Sequence, residues 1–112
     1  MRISLKATNL DLTPSIKTFI DTKVGALDKY LKRFEAEGEL ELRVEIARTT
    51  RHHRHGEVFM AELNLQVPGK LLRAVKEDED VRTAIDGARE ILKLEIEKYK
   101  TQKDPRTKRV TK

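Results

Sequence analysis

The chain has 112 residues, of which 38% are Asp, Glu, Lys or Arg, and 24 basic against 19 acidic residues give a formal charge of +5. Its longest uninterrupted apolar run is Val58 to Ala61 and its N-terminus has no apolar core, which argues against a membrane span and against export. Without cysteine there is no disulfide framework, thiolate metal site or thiol nucleophile, so one domain in a reducing, cytoplasmic setting is expected.

Ile3, Leu5 and Ala7 alternate with Arg2, Ser4 and Lys6, the period of a half-buried strand. Thr13-Pro14 then starts a helix, with Thr13 as N-cap and Pro14 in the first helical position. From Pro14 to Phe34, the residues Ile16, Ile20, Val24, Leu27, Leu31 and Phe34 keep a helical repeat. Gly25 interrupts that helix at a cost of about 1 kcal/mol relative to Ala, and falls on its exposed side. Leu40, Leu42, Val44 and Ile46 alternate with Glu39, Glu41, Arg43 and Glu45, a second strand. Phe59 to Val67 alternates again, Pro68-Gly69 is a turn, and Leu72 and Ala74 continue the parity, so a hairpin is expected. Asp80 or an acidic neighbour caps a second helix, whose buried stripe is Val81, Ala84, Ile85, Ala88, Leu92, Ile96 and Tyr99. After Lys100 the pattern stops.

The order strand, helix, three strands, helix predicts an α+β domain over residues 1–100. Its four-stranded, mostly antiparallel sheet would carry both helices on one face. Residues 101–112 form a polar tail, expected to be disordered when free.

Charge is unevenly placed. Residues 97–112 hold 7 basic and 2 acidic residues, so the excess of +5 belongs to them and residues 1–96 are neutral overall. At about 100° per residue, Arg82, Arg89, Lys93 and Lys100 lie within roughly 20° of a common line along the second helix. They form a basic line suited to a phosphate backbone, and Lys103 in the following tail extends it. A second basic patch is Arg48-Thr49-Thr50-Arg51-His52-His53-Arg54-His55, read as a loop between strands whose arginines pair with phosphates and whose imidazoles stack or gain charge near anions.

Other readings are weaker. A structural zinc site wants four convergent ligands, and His52, His53 and His55 lack a fourth. Glu77 to Asp80 lacks the spacing and central glycine of a calcium loop, and its place before a helix favours capping. No metal or other cofactor is expected. Ser4 and Ser15 sit in no nucleophile motif, and nothing orients the histidines as a base, so the chain is not read as an enzyme. Aromatic residues are 4% of the chain, and four of the five lie on the helices. Stacking of bases on the sheet is therefore not expected, whereas phosphate and shape contacts like those of double-stranded RNA-binding modules fit. The alternatives are a general module for structured RNA and a protein-interaction domain using the acidic stretch Glu35 to Glu45.

Thr13-Pro14-Ser15-Ile16, Lys23-Val24-Gly25-Ala26-Leu27-Asp28-Lys29-Tyr30, Asp80 to Asp86 and Lys98-Tyr99-Lys100 together resemble the short hibernation-promoting factor and ribosome-associated inhibitor family of bacteria, over about residues 1 to 100. The resemblance implies a β-α-β-β-β-α fold and a place in the small-subunit channel of messenger and transfer RNA. Basic residues would contact ribosomal RNA there: Lys98 and Lys100 directly, and Lys23, Lys29 and Arg33 by position on the first helix. Translation would be blocked sterically, as part of ribosome hibernation under stress. The family often has an aromatic where this chain has Arg82, and basic residues near Ile91 and Leu94. The line through Arg82, Arg89, Lys93 and Lys100 would then replace the usual contact face. Longer members add a C-terminal domain that pairs ribosomes; none follows here, so ribosome pairing is not expected. The expected partners are the small ribosomal subunit and its RNA, with no membrane or small-molecule substrate and a monomer when free.

Overall fold

Alternation along the strands leaves one apolar face of the sheet to bury, and two helices with apolar stripes bury it. The computed structural model describes residues 1–49 and 58–103. Its elements are β1 (Arg2–Thr8), α1 (Pro14–Gly25), two 3₁₀ segments (Ala26–Tyr30 and Lys32–Glu37), β2 (Glu41–Arg48), β3 (Phe59–Val67), β4 (Lys70–Asp78) and α2 (Val81–Lys103).

The strands form one sheet in the order β1-β2-β3-β4. β1 runs parallel to β2, while β2–β3 and β3–β4 are antiparallel, so the sheet is the mostly antiparallel one expected. The parallel pair needs a crossover, and α1 with the 3₁₀ segments supplies it. The β3–β4 hairpin turns at Pro68-Gly69, where Pro presets its φ and Gly69 takes φ 78°, a conformation that strains any side chain with a Cβ.

Leu42, Val44, Ile46, Ala61, Leu63, Leu65, Leu72 and Ala74 point from the sheet into one core with Ile20, Val24, Leu27, Leu31 and Phe34 of the crossover and the stripe Ala84, Ile85, Ala88, Leu92, Ile96 and Tyr99 of α2. Every stripe residue named from the sequence is buried except Ile16 and Val81, which pack partly buried at the ends. Tyr99 uses its hydroxyl as well: it donates to the Pro68 carbonyl at 2.7 Å, tying α2 to the hairpin turn.

The first helix departs from expectation. It ends at Gly25, and the segment to Glu37 is wound as 3₁₀. Glycine weakens the α-helix there, and the apolar spacings of three from Val24 to Leu27 and from Leu31 to Phe34 suit three residues per turn. At its other end, α2 runs to Lys103, three residues past the expected limit of the domain. The remainder of the tail, like residues 50–57, lies outside the described residues.

Both caps are those expected. The Ile16 amide donates to the Thr13 hydroxyl at 3.2 Å, and Asp80 Oδ2 accepts from the Thr83 amide at 3.1 Å and its hydroxyl at 2.7 Å. The Thr83 hydroxyl bond holds the Asp80 carboxyl below its ordinary range. Bonds from Asn64 and then Arg73 do the same for Glu62 on the sheet. A carboxyl depressed in the folded state stabilises above its unfolded pKa and loses that contribution as pH falls through the folded one. Chemical unfolding should therefore give constant stability from neutrality to about pH 5 and a decline at more acid pH. The decline should flatten in the Asp80→Asn/Glu62→Gln variant.

Gly87 on α2 makes a close approach possible. A Cβ at this position would sit 2.7 Å from Lys76 Cγ, so the lysine stem of β4 crosses the helix where no side chain stands. Gly87→Ala should gain the full helix-propensity term of about 1 kcal/mol only in a Lys76→Ala background, and measurably less in the parent chain. Equal gains in the two backgrounds, measured by urea unfolding, would contradict the contact.

Candidate nucleic-acid interface

Burial of its stripe fixes the rotation of α2, and so determines where its cations go. α2 packs over β3 and β4 and lies alongside α1. The flank holding Arg82, Arg89, Lys93 and Lys100 is turned toward the crossover. There these residues meet Lys23 and Lys29, so six predicted residues from two parts of the sequence form one seam.

Aromatic rings punctuate that seam. At one end, Arg82 and Lys23 both lie over Phe19, at 5.7 and 5.6 Å from the ring centroid. The Arg82 guanidinium also donates to the Ser15 hydroxyl at 2.6 Å, and the Lys23 ammonium is 3.8 Å from Asp86. Arg89 comes next; its Nε donates to the Lys23 carbonyl at 2.9 Å, satisfying an acceptor near the end of α1, and its guanidinium pairs with Glu90 at 2.7 Å. Beyond it, the ammoniums of Lys29, Lys93 and Lys100 lie 5.2, 5.6 and 5.8 Å from the centroid of Tyr30. Farther on, Phe34 and Tyr99 pack with centroids 5.1 Å apart, and Arg33 and Lys103 lie over their respective rings at 4.7 and 5.6 Å.

A cation over an exposed ring is stabilised by about 0.5–1 kcal/mol. That attraction helps hold three like charges around Tyr30, where their mutual repulsion favours an arriving anion. Both 3₁₀ segments are tied to the chain's first residue: the Met1 ammonium lies 3.6 Å from Asp28 on the segment presenting Tyr30 and donates to Glu35 on the next at 2.6 Å. The Glu35 bond raises the amine above its usual range.

The remaining predicted residues are placed differently. Lys98 stands off the seam, 70% exposed and 3.6 Å from Glu95. Arg48 lies over Phe59 at 5.7 Å, and the register Arg48↔Phe59↔Asp78 puts it at the end of the sheet where α2 begins. Arg51, His52, His53, Arg54 and His55 lie outside the described residues. Among the described residues, no acidic or histidine cluster could hold a metal ion, and no helix is long and apolar enough to cross a membrane. A depression of 460 Å³ on the open face of the sheet is lined by Ser4, Lys6, Arg43, Glu45, Asn64 and Leu71, a mixed set that includes no predicted site residue.

The aromatic component of the seam was not anticipated. Its signal is in the sequence: Phe19 and Lys23, like Tyr99 and Lys103, are four apart on a helix, and Lys29-Tyr30 and Arg33-Phe34 are neighbours. Phe19→Leu should retain much of the apolar packing but lose both cation contacts, lowering unfolding stability by about 1 kcal/mol. High salt should shrink the difference.

The fold and the chain both have relatives. The N-terminal domain of Protein Y from Thermus thermophilus superposes with a TM-score of 0.70 at 27% identity, covering 88% of this chain and 99% of that one. A ribosomal subunit interface protein from Coxiella burnetii, at 18% identity, shares the fold with a TM-score of 0.65, over 90% of this chain and 99% of that one. Ribosome hibernation promotion factors from Deinococcus radiodurans and Lactococcus lactis are 28% and 27% identical over 88% and 91% of this chain, which spans only 48% and 51% of their length. A ribosome hibernation promoting factor from Klebsiella oxytoca is 24% identical, over 89% of this chain and 94% of its own. The family model described as Sigma 54 modulation protein / S30EA ribosomal protein matches residues 3–104, and the chain belongs to that family.

Proposed function

We propose that this protein is a non-enzymatic, cytoplasmic ribosome-associated factor that silences idle ribosomes by occupying the decoding channel of the small subunit. The seam between α2 and the crossover is its RNA-facing surface, and messenger and transfer RNA are excluded by the bulk of the domain. One observation carries the reading: Lys29, Lys93 and Lys100, drawn from two separate segments, surround one tyrosine ring. A ribosomal RNA backbone presents phosphates in succession, and several ammoniums in one place can neutralise neighbouring ones. Family membership and relatives named as hibernation factors support the ribosome as the source of that RNA.

Within the seam the roles divide. Lys29, Lys93 and Lys100 are the phosphate ligands. Arg89 is a positioning residue, because its guanidinium is engaged with the Lys23 carbonyl and Glu90. Arg82 and Lys23 extend the track past Phe19, while Arg33 and Lys103 extend it past Phe34 and Tyr99. Arg48 adds a contact at the end of the sheet where α2 begins, and Arg51, His52, His53, Arg54 and His55, which lie outside the described residues, are further phosphate contacts in this reading.

Each neutralised phosphate releases counterion, so binding should fall steeply with salt. Co-sedimentation with purified small subunits across a salt series should show that slope. Lys29→Glu/Lys93→Glu/Lys100→Glu should weaken binding at least about tenfold and flatten the slope, with the circular dichroism spectrum unchanged. Lys98→Glu should do much less. Unchanged sedimentation of the triple variant would refute the seam as the contact surface. Competition with generic duplex RNA separates the readings further: equal affinity for the duplex would indicate a general RNA-binding module.

A further inference from the structure

The flank of α2 opposite the seam has a different character. Among the described residues, the large apolar side chains left exposed are Leu71 (45%), Val75 (37%), Ile91 (37%) and Leu94 (60%), two on β4 and two on α2. Among the described residues, β4 is an edge of the sheet and pairs only with β3. It is nine residues long, contains no proline and keeps an unbroken register from Lys70 to Asp78, so no bulge twists its free edge away.

The four side chains bracket that edge. Leu71 and Val75 alternate with the core-facing Leu72 and Ala74, so they lie on the open face of the sheet. Gly87, which Lys76 of β4 crosses, marks the flank of α2 above the strand. Ile91 and Leu94 follow it at i+4 and i+7 on the same stripe. Backbone groups with no strand partner among the described residues therefore run between an apolar pair above and an apolar pair below.

The charges along β4 select an occupant. Its first half carries Lys70 and Arg73, and its second half carries Lys76 against Glu77, Asp78 and the following Glu79, so the net sign changes from basic to acidic along the strand. A strand with this polarity is complementary to itself when reversed: antiparallel pairing centred on Ala74 brings Lys70 beside Asp78 of the other copy, twice. Parallel pairing would set like beside like. The two-fold symmetric contact also lets the α2 helices approach through Ile91 and Leu94.

We propose that a second copy of this chain pairs with β4 antiparallel, joining two four-stranded sheets into one of eight strands, in place of the monomer expected from the sequence. The seams lie on the other flank of each α2 and stay open in the dimer. This proposal does not depend on the assignment of function.

Sedimentation equilibrium of the full chain, from roughly micromolar to millimolar concentration, tests it. The mass should rise from monomer to dimer across that range. Val75→Lys/Leu94→Glu should keep its circular dichroism spectrum and remain a monomer. Lys70→Glu alone and Asp78→Lys alone should each weaken association about tenfold, and the two together should restore it. A monomer mass at every concentration overturns the proposal. So does a dimer indifferent to the Val75 and Leu94 changes, or a combined charge variant that fails to recover.

Discussion

Everything on the surface of this domain follows from how α2 buries its stripe. Ala84, Ile85, Ala88, Leu92, Ile96 and Tyr99 must all face the sheet, which leaves the helix one permitted rotation. A helix pinned on that side has two flanks, and the sequence gives them opposite characters. One carries Arg82, Arg89, Lys93 and Lys100 toward the crossover; the other carries Gly87, Ile91 and Leu94 over the edge strand. Turning α2 by one residue, about 100°, would expose core side chains and dissolve both surfaces at once.

The crossover is the second half of the arrangement. A parallel β1–β2 pair obliges the chain to travel the length of the sheet and return, and α1 with its 3₁₀ extension makes that journey. The path lies beside α2, so residues far apart in sequence, such as Lys29 and Lys100, come to share a ring. Neither element alone would concentrate charge in this way. Arg89 fastens the two by bonding to the Lys23 carbonyl, and the Met1 ammonium fastens the 3₁₀ segment to the start of β1.

Alternation and helical repeat made the fold legible, because burial of one face is a local demand written every second or fourth residue. They did not distinguish α from 3₁₀ winding after Gly25: Val24, Leu27, Leu31 and Phe34 satisfy either spacing, and packing beside α2 decides between them. The basic line of α2 was equally legible, being a property of one helix. Its conjunction with Lys23 and Lys29 was not, since that depends on a neighbour whose placement no local pattern encodes. Phe19, Tyr30, Phe34 and Tyr99 are the instructive case. Their place on helices argued against base stacking on the sheet, and that argument stands, but it gave no hint that the rings would serve as seats for cations.

The topology also sets an order of assembly. β2, β3 and β4 can pair as each is made, yet the sheet's inner face and the crossover remain uncovered until α2 has been synthesised, and Lys93 and Lys100 come with it. A nascent chain therefore holds the rings of Phe19 and Tyr30 before it holds the cations of α2 that sit over them. The seam is therefore complete only with the last element of the core, and a partly made chain holds only the crossover's share of its cations.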